Sequence, residues 1–147
     1  MNKLEKIFLD MEQALAEQII TLKPVLVSPD TAVEYEPLYF DHSEKDNTRW
    51  LQMAATALEK SCHFEIHCWS EEQEWIELAL PYGRLKDDDW SYGHIIEGEV
   101  TDDFCQMVLS QPKPKDSELY NKMTPFFNLF LDDHFQSSHY GTEVFLR

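Results

Sequence analysis

The sequence predicts an α+β fold: a small, mainly antiparallel sheet flanked by about four helices, with residues 1–147 forming one domain. Three observations carry this. Apolar residues recur at helical spacing from Leu4 to Leu22, two neighbouring stretches between Cys62 and Leu80 alternate with a period of two, and the two kinds of segment do not follow one another in strict βαβ order.

Along the chain, Leu4, Ile7, Phe8, Met11, Leu15, Ile19 and Leu22 share one helical face, and Lys23-Pro24 ends that helix. Pro24–Val27 reads as a strand or an extended connector. Residues 28–47 are rich in turn formers, with Leu38, Tyr39 and Phe40 tucked against the core. Thr48 is placed to cap a second helix whose apolar positions are Leu51, Ala54, Ala55 and Leu58. In the strand Cys62–Trp69, Cys62, Phe64, Ile66 and Cys68 face one way and His63, Glu65, His67 and Trp69 the other.

Ser70–Gln73 reads as a hairpin loop leading to a strand over Glu74–Leu80, with Trp69 and Trp75 paired across the second face or left open to a partner. Each strand has one apolar face, so the sheet is expected to be covered on one side. Pro81–Tyr92 reads as a loop and His94–Val100 as a third strand. Thr101 starts a third helix with Asp102 and Asp103 in its first turn. Residues 111–115 form a stiff connector, about 116–135 a helix kinked at Pro125, and Thr142–Leu146 a last strand.

The 28 Asp and Glu against 12 Lys and Arg give a formal net charge of −16, yet a hydrophobic content of 43% and an aromatic content of 13% are globular values. The charge therefore coats a core. It is also concentrated: residues 61–110 hold 12 acids and only two bases, Arg84 and Lys86. A field of one sign steers a partner of the opposite sign, which points to a basic macromolecule and away from direct nucleic-acid binding or an anionic membrane. Glu5, Asp10, Glu12 and Glu17 interrupt any signal-peptide core, and no run approaches a membrane span. Cys62, Cys68 and Cys105 show no zinc-like spacing, and Cys62 and Cys68 would stand about 20 Å apart along a strand. Buried, reduced thiols in a cytoplasmic protein are expected.

Catalytic motifs are missing. No nucleophile elbow, dinucleotide fingerprint or phosphate loop occurs, and only four glycines are present. No cofactor is expected. His63 and His67 would lie about 13 Å apart on one strand face, too far to share an ion. Asp132, Asp133, His134 and His139 form the grouping closest to a metal site, with a helix C-terminus as the simpler account. The aromatic run Phe126–Phe135 is read as core in preference to a peptide-binding helix.

Size, acidity, α+β pattern and the empty motif search together resemble the bacterial immunity proteins paired with contact-dependent growth-inhibition and other polymorphic toxins. The resemblance spans the whole chain and rests on no diagnostic motif. It implies a non-enzymatic cytoplasmic protein that neutralises a cognate basic toxin domain, most often a nuclease, in a one-to-one complex. The expected contact region lies within residues 69–99. Asp87, Asp88 and Asp89 would meet toxin Arg or Lys, Glu71, Glu72, Glu74, Glu97 and Glu99 would extend the acidic ring, and an exposed Trp90 with Tyr92 would anchor. The alternatives are a nucleic-acid-mimicking decoy of a host DNA-binding protein and a small metal-dependent enzyme using Asp132, Asp133, His134 and His139.

Overall fold

The computed structural model describes residues 37–115 and 119–147. The helix expected over residues 4–22 and the segment Pro24–Val27 lie outside the described residues. Within them, seven strands form one antiparallel sheet: β1 (Leu38–Tyr39), β2 (His63–Trp69), β3 (Arg84–Lys86), β4 (Gly93–Glu99), β5 (Asn128–Leu131), β6 (Phe135–Ser138) and β7 (Glu143–Leu146). Their spatial order is β1-β7-β6-β5-β2-β4-β3. Three α-helices accompany them: α1 (Thr48–Lys60), α2 (Gln73–Ala79) and α3 (Asp102–Leu109). The mixed class and the antiparallel sheet agree with the sequence reading. The sheet is larger than expected, and the described residues hold three α-helices.

The registers place Ile66 beside Ile96 and Leu129, and Phe64 beside Gly98 and Leu131, so the apolar residues of β2, β4 and β5 share one face. All three helices cover that face. Trp50 of α1 donates its indole N–H to Ser137 Oγ on β6 at 3.0 Å. Phe104 of α3 stacks on Phe64 at 3.8 Å between ring centroids. Ile76 and Ala79 of α2 join the same buried cluster. The sheet is thus covered on one side among the described residues, as the alternation in β2 requires. Thr101 caps α3 as expected, its hydroxyl oxygen accepting the Phe104 N–H at 3.1 Å.

Four expectations are corrected. Glu74–Leu80 is no strand: α2 runs to Ala79 and a 3₁₀ turn follows over Leu80–Tyr82. Both edges of β2 are already taken by β4 and β5, so no edge remains for a hairpin partner, and Ile76 with Ala79, three apart, turn to the core together. Trp75 accordingly lies on α2 and does not pair with Trp69 across a hairpin.

The helix expected over residues 116–135 is replaced, in its described part, by irregular chain with bends and the β5–β6 hairpin. A run apolar on every side fits a buried strand as well as a buried helix, and here Leu129, Leu131 and Phe135 face the core from the middle of the sheet.

The position before α1 is held by Asn47, with Thr48 the first helical residue. The Asn47 amide donates instead to the carbonyls of Gln111 and Met123, tying α1 to the far segment. Cys62 precedes β2 and is exposed, so it does not share the buried face of Phe64, Ile66 and Cys68. Burial pushes the Cys68 thiol up to about 12 and the Cys105 thiol up to about 11, so both stay protonated at neutral pH.

Candidate functional site

The face of the sheet opposite the helices carries the chemistry. Adjacent strands present Arg84 beside Glu97, Glu97 beside Glu65, and Glu65 beside Phe130 in one row; His63 stands beside Glu99 in the next. Glu65 and Glu97 are direct cross-strand neighbours of like charge, a pairing that costs stability unless cations intervene. Two do. Lys86 Nζ lies 2.9 Å from Glu65 Oε1, and an Arg84 guanidinium nitrogen 3.5 Å from Glu97 Oε1.

Two open depressions meet at Lys86. The larger, about 650 Å³, is lined by Phe130 together with His63, Glu65, Glu97, Asp132, Asp133 and His134. The smaller, about 450 Å³, lies under the loop after β3, between Asp87, Asp88, Trp90 and His94. Because Lys86 lines both, the sheet carboxylates and the Asp87–Asp88 loop belong to one surface.

Of the expected contact residues, Asp87, Asp88, Asp89 and Tyr92 are exposed, Tyr92 at 73%. Glu97 and Glu99 lie on the outer face. Glu71 and Glu74 are exposed but line neither depression. Glu72 is engaged internally: its carboxylate accepts the Trp69 N–H at 2.9 Å and the Tyr140 hydroxyl at 3.1 Å.

Trp90 is half-buried, contrary to the expectation of an exposed anchor. It packs edge-on against Trp69 at 5.0 Å and against His67 at 5.8 Å. Its ring lies so close over Gly93 that a Cβ there would meet it at 2.4 Å. Asp88 accepts the Trp90 N–H at 2.6 Å, closing a local turn. Trp90 therefore latches the acidic loop to the sheet.

Asp132, Asp133 and His134 form the β5–β6 turn, and the Asp132 side chain braces it. Asp132 has φ 47°, a left-handed conformation that Asp tolerates better than most residues. Its carboxylate accepts the N–H groups of Cys62 (2.8 Å) and His63 (3.0 Å), which holds its pKa below the usual carboxylate value. His139 sits elsewhere, in the β6–β7 turn, with Nδ1 3.5 Å from Glu143. The four residues of the expected metal grouping are not brought together, and among the described residues no group of three or more His, Cys, Asp or Glu is placed to hold a metal ion.

Asp132→Ala is expected to destabilise the protein by about 1–3 kcal/mol, as two backbone donors lose a charged acceptor. Since the folded pKa is depressed, that stabilisation is present above about pH 4 and is lost as pH falls through the lower folded value. Urea melts from pH 3 to pH 7 check this. A variant equal in stability to the parent at pH 7 would reject the role.

His67 sits between Trp90 and Phe130, its Nδ1 accepting from the Asn128 amide at 3.2 Å. Burial lowers its pKa, outweighing the opposing pull of Glu65 and Asp88, and Lys86 lowers it further. Glu65 Oε2 stands 3.6 Å from Nε2, beyond hydrogen-bond reach of the neutral ring. In this case the unfolded chain binds the proton first. Stability is therefore expected to decline as pH falls from about 6.5 through the lower folded value. The decline should be shallower in His67→Gln when melts at pH 7 and pH 5 are compared; equal slopes would contradict it.

Sequence reasoning missed Glu65, Lys86, His63 and Asp133 as members of this surface. The usable signal was that Glu65 and Glu97 fall on the polar faces of two successive antiparallel strands. Comparison with known proteins finds no matching family model, no matching curated protein and no matching solved structure.

Proposed function

We propose that this chain is a non-enzymatic binding protein that neutralises a basic partner, a toxin domain of nuclease type, by covering its substrate cleft. The observation that supports this best is the union at Lys86 of the outer-face carboxylates Glu65, Glu97, Asp132 and Asp133 with the loop acids Asp87 and Asp88. A nuclease must present Lys and Arg to phosphates. A rigid, acid-lined sheet face with a latched acidic loop is complementary to such a cleft in charge. Among the described residues no helix is long and apolar enough to cross a membrane, which is compatible with the cytoplasmic location proposed for such an inhibitor.

The test is co-expression with basic nuclease domains encoded beside the gene. Growth should be restored by the parent chain and not by a variant with Asp87, Asp88 and Glu97 changed to Lys. Restored growth with that variant, at equal protein levels, would overturn the proposed contact surface. Binding to many unrelated basic proteins, all lost together with rising salt, would favour the decoy reading instead.

A further inference from the structure

We infer that His67 is a proton-operated switch for the β6–β7 turn: its neutral ring accepts from Asn128 and through it holds His139, and its charged ring gives up that bond for the carboxylate of Glu65. The switch is independent of the binding function proposed above. Two directed hydrogen bonds form it. Asn128, beside His67 on β5, donates its side-chain N–H to His67 Nδ1 at 3.2 Å. Its Oδ1 accepts the backbone N–H of His139 at 3.4 Å. One amide thus ties β2 to the turn, with both of its ends committed.

Since Nδ1 accepts, the neutral ring carries its proton on Nε2. That atom is buried and has no hydrogen-bond partner among the described residues. Glu65 Oε2 lies 3.6 Å from it, too far to bond the neutral ring yet close enough to draw in a charged one. A second proton goes to Nδ1, where it faces the Asn128 NH2, donor against donor. Turning the Asn128 amide over restores that contact but sets its NH2 against the His139 N–H. The added proton therefore costs a hydrogen bond at one end of Asn128 or the other. Glu65 on β2 and Asp88 in the loop after β3 favour the charged ring, and Lys86 on β3 opposes it. The neighbours on β4 and β5, Ile95, Asn128 and Phe130, and the Trp90 ring are neutral. Burial outweighs the two acids and keeps the ring neutral at pH 7.

The turn is placed to respond. His139, Tyr140 and Gly141 have φ of 52°, 61° and 83° in succession. Left-handed backbone in two consecutive non-glycine residues persists only where the surroundings hold it. Here the Asn128 bond holds His139, and Tyr140 is held by its N–H to the Phe127 carbonyl at 2.9 Å and its hydroxyl to Glu72 at 3.1 Å. Loss of the Asn128 bond frees the N–H at which the left-handed run begins. His139 has a charge partner of its own, Glu143 at 3.5 Å, so its titration must be separated from that of His67.

Nuclear magnetic resonance of the full chain, labelled with nitrogen-15, tests this. At about pH 8 the His67 ring should be the tautomer protonated on Nε2. From about pH 8 to about pH 4.5, a range around the ordinary His value, the His139 and Tyr140 amide signals should move with the midpoint of the His67 ring. Exchange protection of the Tyr140 amide, corrected for its intrinsic rate, should fall about two- to tenfold, the weight of one hydrogen bond, while Ile66 and Ile96 keep theirs. His139→Asn, which tolerates left-handed backbone, should leave the Tyr140 response in place. Asn128→Asp, whose carboxylate accepts from both His67 and the His139 N–H, should raise the His67 midpoint and abolish the response of the turn. A neutral ring protonated on Nδ1, or a Tyr140 response that disappears in His139→Asn or survives in Asn128→Asp, would overturn the switch. So would an equal loss of protection at Ile66, since acid would then unfold the whole sheet.

Discussion

Trp50→Ala is expected to cost about 3–5 kcal/mol of stability, the range for emptying a fully buried aromatic site. Trp50 has no exposed surface, and neither has Ser137, whose hydroxyl accepts its indole N–H. Its ring meets Phe135 edge-on at 6.2 Å and lies against Gly141, where φ is +83° and a Cβ would come within 2.7 Å of the indole nitrogen. The side chain thus fastens α1 to β6 and to the β6–β7 turn together. Alanine leaves a cavity and an unpaired buried hydroxyl, and both effects act in the same direction. For a domain with a typical total of about 5–15 kcal/mol, this removes between a fifth and all of the stability. Trp50→Phe keeps most of the ring but not the hydrogen bond, and should cost about 1–3 kcal/mol. Guanidinium unfolding monitored by far-UV circular dichroism measures both. A loss below about 1 kcal/mol for Trp50→Ala would mean that α1 does not pack on the sheet as described.

Reversing Asp87, Asp88 and Asp89 to Lys is expected to slow association with the proposed basic partner by about 10- to 100-fold at low salt. The three side chains are exposed, and the loop is held by Trp90 on Gly93, a contact the substitution leaves in place. Asp88 contributes one local hydrogen bond to Trp90 N, so a small stability change is expected, below about 1 kcal/mol for an exposed turn. The steering field falls off over about 10 Å at 0.1 M salt, so the difference in on-rate should shrink as salt rises. Stopped-flow association across a salt series reads this directly. On-rates that match the parent at every ionic strength would place the contact elsewhere on the molecule.

Much of the framework was legible in the sequence because it depends on local pattern. Strict alternation in His63–Trp69 matches a strand with one buried face. Thr101 followed by two acids is a helix start that needs no tertiary help. The concentration of acids between residues 61 and 110 is likewise a property of the chain alone.

Other features depended on what each segment meets. Glu74–Leu80 alternates, but Ile76 and Ala79 also match a helical face, and the occupancy of both edges of β2 by β4 and β5 favours the helix. The run around Phe126–Phe135 is apolar on all sides, so periodicity could not separate helix from strand, and the place beside β2 favoured the strand. Trp90 follows three aspartates and reads as exposed, yet it finds Gly93 and Trp69 across the turn.

Charge and strand faces were thus set by the sequence, since side-chain chemistry and a two-residue period are local. Which acids become neighbours was decided only by the tertiary structure. Strand register brought Glu65 against Glu97, residues 32 apart in the chain, and the path of β3 laid Lys86 beside them and the Asp87–Asp88 loop.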